Sequence, residues 1–143
     1  MILISHRGNI EGPNTHRENS INYIMEAIEI GFDVEVDLWV KDGLYLGHDY
    51  PHYPIDTSFL SNQKLWIHCK NIEAVKFCKE MKIETNYFYH QNDDVVLTSN
   101  GFLWTNPGQE LTSYSIAVMP EIRDFNNINI SYGICSDFIE KYK

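Results

Sequence analysis

The chain has 143 residues, and its 11 Lys and Arg against 20 Asp and Glu give a formal net charge of -9 at pH 7. This length suffices for one hydrophobic core but not for two ordinary domains, so residues 1–143 are predicted to form a single domain. The negative charge would repel a nucleic-acid backbone, which argues against DNA or RNA as a partner. A hydrophobic content of 43% is typical of globular proteins and argues against disorder.

Cysteine usage and the first residues suggest a compartment. Cys69, Cys78 and Cys135 are an odd number without metal-ligand spacing, and the chain opens with MILISHRG instead of a basic and then apolar leader. We therefore expect a reducing cytoplasm. No apolar run approaches the roughly 20 residues that cross a bilayer, so no transmembrane segment is predicted.

The N-terminal third reads as alternating strands and helices. Met1 to Ser5 is an apolar, β-branched strand that ends at His6-Arg7-Gly8. Ser20 is predicted to cap a helix that ends at Gly31. Phe32 to Val40 then alternates as a second strand.

A hairpin and further strands follow. Lys41-Asp42-Gly43 is predicted to be a tight turn that leads back into Leu44 to Leu46. One more helix is predicted, at 72–81. The remaining predicted strands are 64–70, 85–90, 101–105, 115–119 and 131–135.

This alternation predicts the fold class. Strands separated by about 15–20 residues are typical of parallel β-α units, whose functional groups lie at the carboxyl ends of the strands. We therefore predict an α/β fold, a reduced or truncated TIM-type (β/α) barrel. A full barrel usually needs about 250 residues, so several helices are expected to be short or missing.

Acidic residues alternate along the second strand. Asp33, Glu35 and Asp37 lie two apart, so their side chains share one face. Turned inward, each uncompensated ion would cost several kcal/mol, and a divalent cation is the usual compensation. Alternatively, this face is the solvated side of an edge strand, and Val34 and Val36 lie on the core face.

Two histidines end neighbouring segments. His6 and Arg7 follow the first strand, and His48 and Asp49 follow the hairpin. Two imidazoles at one rim would divide proton removal and proton donation, while Arg7 offers a planar fork of donors to phosphate oxygens. Alternatively, each histidine is simply an exposed or capping residue.

Further candidates lie at other strand ends. His68 and Lys70 share a face of the third predicted long strand, where His68 would bind a metal and Lys70 a phosphate. Alternatively, His68 is a hydrogen-bonded core residue and Lys70 a solvent-facing strand end. Glu18 lies just before the first predicted helix and could reach the same site, and His90 and Glu121 lie at predicted strand ends, with Glu121 a reserve metal ligand.

Four motifs occur in a specific order: His6-Arg7-Gly8, Glu18-Asn19-Ser20, residues 31–37 (GFDVEVD) and Gly47-His48-Asp49. In this order and spacing the chain resembles the glycerophosphodiester phosphodiesterase family, within the phospholipase-C-like phosphodiesterases. The motifs cover roughly the first third of the chain, and residues 133–137 (GICSD) are similar to the end of the family's last barrel strand.

The resemblance implies roles for individual residues. His6 and His48 would be the general base and acid, and Arg7 and Lys70 would hold the phosphate. Glu35 and Asp37 would bind a divalent cation that acts as a Lewis acid. Family enzymes cleave glycerophosphodiesters to glycerol phosphate and an alcohol.

The chain departs from the family in two respects. His68 replaces the family's third metal-binding Glu, and an imidazole ligand would shift the preference from magnesium or calcium toward manganese or zinc. The chain is also far shorter than family members, so the segments that recognise glycerol are expected to be absent.

The sequence therefore predicts a metal-dependent phosphoric diester hydrolase that acts on a glycerophosphodiester-like or other small phosphodiester. Two alternatives remain: a non-catalytic module that binds a phosphorylated metabolite, and a phospholipase-C-like lyase that releases a cyclic phosphate. A shortened barrel would leave an apolar flank, so we also hypothesise a homodimer that covers it.

Overall fold

One continuous sheet organises the chain in a computed structural model that describes residues Met1–Lys143. Two α-helices, α1 (Ile21–Ile30) and α2 (Ile72–Glu80), and three short 3-10 helices, Thr57–Ser61, Ile128–Ile130 and Ile139–Tyr142, accompany it. The ten strands are β1 (Ile2–His6), β2 (Asp33–Val40), β3 (Leu44–Leu46), β4 (Tyr53–Ile55), β5 (Leu65–Cys69), β6 (Asn86–Tyr89), β7 (Val95–Leu97), β8 (Leu103–Thr105), β9 (Ser115–Val118) and β10 (Gly133–Ser136).

Seven strands run parallel, in the order β6-β5-β2-β1-β10-β9-β8. The carboxyl ends of these strands therefore meet at one edge of the sheet. The short strands β3 and β4 add an antiparallel arm to the end of β2, and β7 runs antiparallel to β8. The strands and both helices expected from the sequence are present, whereas β4 and β7 were not predicted.

The prediction of a TIM-type barrel is wrong. The sheet is mixed and open, because β6 and β7 are not paired with each other, and only two α-helices are present. A (β/α) barrel needs a helix after most strands, whereas the chain beyond β6 passes through loops and 3-10 helices. The architecture is a predominantly β, ten-stranded open sheet.

The hydrophobic core lies in three clusters. The largest packs both helices against the sheet and includes Ile24 and Ala27 of α1 and Val34, Val36 and Leu38 of β2. A second, aromatic cluster fills the other face and consists of Ile4, Trp66, Phe88, Trp104, Ile116, Val118 and Cys135. A third cluster of Phe32, Leu111, Ala117, Ile134 and Ile139 secures the C-terminal 3-10 helix.

Local signals explain where the helices begin and end. Ser20 occupies the N-cap of α1, but its side chain makes no capping hydrogen bond, contrary to the prediction. Gly31 ends α1 with φ of 113°, and its N–H donates to carbonyls of the last turn. Asn71 caps α2 by accepting a hydrogen bond from the Ala74 N–H. Neither helix is long and apolar enough to cross a membrane.

Candidate active site and metal centre

A cavity of about 450 Å³ opens where the parallel strands end. Its charged wall comes from β1, β2, β5 and the hairpin and consists of His6, Arg7, Glu35, His48, His68 and Lys70. The opposite wall comes from β6, β8 and β9 and consists of Tyr89, His90, Gln91, Trp104, Asn106, Val118 and Met119. A wider depression of about 720 Å³ beside the loop at 10–16 lies apart from the paired carboxylates, so the candidate site is the smaller cavity.

Glu35 lines this cavity from the middle of the sheet, and Asp37 lies behind the lining, in contact with Arg7, His68 and Lys70. Glu35 is 2% exposed and Asp37 is fully buried, so they do not form the solvated face of an edge strand. Register explains their neighbours, because Glu35 pairs with His6 on one side and Asp37 pairs with His68 on the other. Val34 and Val36 pack in the helix-covered core instead.

Asp37 is the centre of a buried charge network. Its Oδ2 lies 3.0 Å from Arg7 Nε, and its Oδ1 lies 3.5 Å from Lys70 Nζ. Asn19 holds the same carboxylate, because its Nδ2 donates to Oδ2 at 2.8 Å and its Oδ1 accepts from the Asp37 N–H at 2.9 Å. Burial alone would raise the pKa of Asp37, but contact with His68 and the charges of Arg7 and Lys70 hold that pKa well below its usual range.

Glu35 has the opposite environment. Burial and the neighbouring charge of Asp37 raise the pKa of Glu35, although His6 and Arg7 oppose this. Glu35 Oε2 is buried without a hydrogen bond, and so is Asp37 Oδ1. Buried carboxylate oxygens without donors are costly, and a cation relieves that cost.

His68 completes a set of three ligand atoms. Its Nδ1 lies 3.2 Å from Asp37 Oδ1 and 3.8 Å from Glu35 Oε1, and one atom from each of the three residues lies within 4.8 Å of the others. Ligands at about 2.0–2.4 Å from a shared ion can be separated by at most about twice that distance. The two carboxylates and the imidazole therefore fit a divalent cation.

His6 is held by the far end of the chain. Its Nδ1 lies 2.8 Å from Asp137 Oδ1, while its Nε2 lies 3.8 Å from Glu35 Oε2 on the cavity side. Asn9 Nδ2 donates to the same Asp137 oxygen at 2.8 Å. Burial would lower the pKa of His6, but the hydrogen bond to Asp137 and the charge of Glu35 outweigh it, so the pKa is raised. The contact fixes the ring and leaves Nε2 for the cavity.

Arg7 lies in the tight turn that follows β1 and lines the cavity. Arg7 has φ of 56° and Gly8 φ of 94°. A Cβ at Gly8 would lie 2.8 Å from Tyr23 Cδ1, so only glycine fits there. Arg7 Nη1 donates to Glu18 Oε2 at 3.3 Å and Nε is buried against Asp37, so the other guanidinium N–H groups at Nη1 and Nη2 remain for a ligand.

His48 reaches the site from the loop after β3. A Cβ at Gly47 would overlap the carbonyl of Tyr50, so this tight loop requires glycine. His48 Nδ1 lies 3.8 Å from Asp37 Oδ2, and the side chain is 44% exposed. Burial and the charge of Arg7 lower the pKa of His48.

The four supporting candidates have different positions. Glu18 bridges Arg7 and Asn9, and Asp49 is 83% exposed beside His48. His90 stacks on His68 with ring centroids 4.4 Å apart, and burial with the charges of His68 and Lys70 lowers its pKa to about 4. Both oxygens of Glu121 accept hydrogen bonds, from Ser136 Oγ and from the Asp137 N–H, so Glu121 supports Asp137 instead of serving as a metal ligand.

One acidic residue of β2 lies outside the site. Asp33 accepts a hydrogen bond from Trp66 Nε1 at 3.1 Å and lies 3.5 Å from Lys64 Nζ, at the opposite end of the strand. The expected row of three carboxylates is therefore a pair at the site.

Three site residues had no predicted role: Asn9, Asn19 and Asp137. Asn19 carries a signal in its position, because it has φ of 64°, a conformation that Asn tolerates better than most residues. Asp137 lies 131 positions from His6, and no local pattern connects the two. Only the resemblance of residues 133–137 pointed to that segment.

Comparisons of this chain with protein-family models, with curated proteins and with solved structures gave no match. The resemblance to the glycerophosphodiester phosphodiesterases therefore rests on the motifs and their order.

Proposed function

We propose that this protein is a metal-dependent phosphodiesterase that cleaves a small phosphodiester by acid-base catalysis with two histidines. One observation carries the proposal: His6, His48 and Glu35 line one cavity, the buried Asp37 contacts its lining residues, and Glu35 Oε2 and Asp37 Oδ1 are both buried without a hydrogen bond. Each feature alone has a structural explanation. Their convergence on one cavity is the pattern expected of a catalytic site.

Glu35, Asp37 and His68 would hold the cation. A divalent ion bound there would polarise the phosphoryl oxygens as a Lewis acid. The single imidazole among two carboxylates favours manganese or zinc over magnesium or calcium.

Arg7 and Lys70 would bind the phosphate. Both line the cavity, and both lie within 3.5 Å of Asp37, which fixes their positions. The guanidinium donors of Arg7 suit two phosphate oxygens, and the ammonium of Lys70 adds a point charge. A phosphodiester bound to Arg7 and Lys70 would thus have its phosphorus between His6 and His48.

The two imidazoles would divide the proton transfers. A hydroxyl oxygen forms a bond to phosphorus while one imidazole takes the hydroxyl proton. The bond between phosphorus and the departing alcohol oxygen breaks, and the other imidazole donates a proton to that oxygen. Asp137 would keep the His6 ring oriented during this exchange. No redox partner is needed, and atoms and charge balance.

Turnover tests the proposal directly. A panel of glycerophosphodiesters and bis(p-nitrophenyl) phosphate would be assayed with EDTA, magnesium, calcium, manganese or zinc. The proteins compared are wild type, His6→Gln, Glu35→Gln and the control Glu29→Gln, whose side chain is exposed on α1.

We expect metal-dependent release by wild type and Glu29→Gln, and a loss of about 10²–10⁴-fold in His6→Gln. Equal activity in all four proteins, or activity that survives EDTA, would reject the proposal. Wild type that binds phosphate but turns over no diester with any metal would favour a binding module.

A further inference from the structure

A row of aromatic residues lies at the end of the sheet opposite the cavity. Phe102, Tyr114 and Tyr132 come directly before β8, β9 and β10, which are neighbours in the sheet and run parallel. The three residues therefore lie side by side at the amino ends of these strands. We call this row, together with the neighbouring Ile130, the amino-edge patch.

The patch is anchored to the core and open to solvent. Phe102 packs against the buried Trp66, and its ring centroid lies 4.4 Å from that of Tyr132. Backbone N–H groups of β8 and β1 donate to the carbonyls of Tyr114 and Tyr132. Nevertheless, Tyr114 is 65% exposed, and Ile130 and Tyr132 are exposed as well. Aromatic groups that are held in place and exposed are typical anchors of protein interfaces.

The segments that form the patch contain no charged residue. Residues 95–109, 111–120 and 125–136 include no Asp, Glu, Lys or Arg, whereas these types make up 22% of the whole chain. Charged side chains return at the amino edge of the first half, where Lys64 lies 3.5 Å from Asp33. The patch is thus a neutral surface on a chain with a net charge of -9.

This distribution of charge favours a second copy of the chain as the partner. In a two-fold dimer the same surface occurs on both subunits, so a charged surface meets its own charge and a neutral surface does not. Two copies with a charge of -9 each repel one another, and they approach at the lowest electrostatic cost through a neutral surface. A basic partner would instead be attracted to the acidic surfaces elsewhere, and the patch offers no Lys or Arg to anionic lipid headgroups.

We propose that the amino-edge patch is the surface through which two copies of this chain associate around a two-fold axis. The homodimer that the short chain suggests would thus cover this patch. Tyr114 would be its central anchor, since Tyr is enriched in interface cores and charged residues are depleted there. The cavity lies at the carboxyl ends of the strands, so both copies would keep an open site, and association would be independent of the proposed activity.

Analytical ultracentrifugation from low to high micromolar concentration measures the association. The proteins compared are wild type, Tyr114→Glu, Tyr114→Arg and the control Tyr50→Glu. Tyr50 is an exposed tyrosine like Tyr114, but it lies in the loop that carries His48, at the cavity end of the molecule. Thermal unfolding would check that each variant is folded, as expected for changes at exposed side chains.

We expect wild type to form a dimer with a dissociation constant in the micromolar range, because the patch is small. Tyr114→Glu and Tyr114→Arg should both weaken association by at least about tenfold, since each places like charges opposite one another. Tyr114→Arg is the sharper test, because it lowers the net negative charge and would strengthen an association limited only by overall repulsion. Tyr50→Glu should associate nearly as wild type does.

A wild type that stays monomeric at high micromolar concentration would overturn the proposal. A dimer that Tyr114→Arg leaves intact, or that Tyr50→Glu weakens as much as Tyr114→Glu does, would overturn it as well. Flotation with phosphatidylcholine vesicles tests a membrane as the other occupant of the patch. Vesicle binding by a monomeric wild type, lost in Tyr114→Glu, would assign the patch to a lipid surface and reject the dimer.

Discussion

The two halves of the sheet are built differently. Up to residue 80 the chain contains both α-helices, and the outer faces of β2 and β5 are packed against them. From β6 onward it contains no α-helix, and loops and short 3-10 helices connect the strands. The first half supplies every charged side chain that lines the cavity, and the second supplies the wall with Trp104 and the supporting carboxylates Glu121 and Asp137.

This difference separates two tasks. Buried charges must keep their positions against strong electrostatic forces, and strands packed under helices are rigid enough to hold them. The helix-free half offers loops and an apolar wall, which can vary without disturbing the charges. We therefore expect changes in the first half to alter stability and ion binding, and changes in the second half to have smaller effects.

The largest effect should follow from Asp37→Asn. Asp37 is fully buried and lies against Arg7 and Lys70, so its neutralisation leaves two cations without their partner. We expect the free energy of unfolding in EDTA to fall by about 3–5 kcal/mol. Urea denaturation at neutral pH measures this loss.

Asp124→Asn is the matched control, because Asp124 is exposed in the helix-free half. It should change the stability by less than about 0.5 kcal/mol. Similar losses of stability in both variants would mean that the first half is not more sensitive to the removal of a charge than the helix-free half.

Glu35→Gln tests ion binding in the first half of the chain. Burial and Asp37 raise the pKa of Glu35, so its charge contributes little to stability without an ion. In EDTA the variant should be as stable as wild type. With manganese at about 100 times its dissociation constant, wild type should gain about 2.7 kcal/mol and the variant much less.

Thermal unfolding with and without manganese measures both the stability in EDTA and the stabilisation by the ion. The control Glu29→Gln should be stabilised by manganese as much as wild type. An equal gain in Glu35→Gln would show that the ion binds elsewhere.

Asp137→Asn tests the carboxylate that the helix-free half places against His6. The pKa of His6 is raised by the Asp137 hydrogen bond and by Glu35, so protonated His6 stabilises the fold below about pH 6.5, and this contribution is lost as the pH rises through the folded pKa. The variant should therefore lose about 2 kcal/mol at acidic pH and less at about pH 9.

Two-dimensional NMR of the imidazole protons in EDTA should also show that the pKa of His6 falls in Asp137→Asn. An unchanged titration curve would separate Asp137 from His6 in solution.

Much of the local structure was predictable from the sequence. The period of two in β2 predicts that Glu35 and Asp37 share a face, because alternation in a strand is a local property. Gly31 marks the end of α1 for a similar reason, since only a few residues adopt its backbone conformation without strain.

Long-range features were not predictable in the same way. The sequence suggested a barrel, but strand periodicity does not reveal whether β6 finds a partner across the sheet. The contact of His6 with Asp137 joins opposite ends of the chain, and β10 is parallel to β1 only through pairing that no local pattern specifies. By contrast, alternation along the predicted strand at 64–70 puts His68 and Lys70 on one face, and the pairing of β5 with β2 brings His68 beside Asp37.

The smallest effect is expected at His90, in the helix-free half. Burial and the charges of His68 and Lys70 lower the pKa of His90 to about 4. Between about pH 6.5 and that value the unfolded chain binds a proton that the folded protein does not, so this group makes stability fall as the pH falls. His90→Gln removes the proton uptake, so its stability relative to wild type should improve from pH 7 to about pH 5.

Urea denaturation at both pH values would measure this gain, with His52→Gln as the control at an exposed imidazole. The gain should be small because His90 is only partly buried and solvent screens its interactions. If His90→Gln instead loses stability equally at both pH values, the His68–His90 stack acts through packing alone. His90 would then affect His68, and with it the first half of the chain, through packing and not through charge.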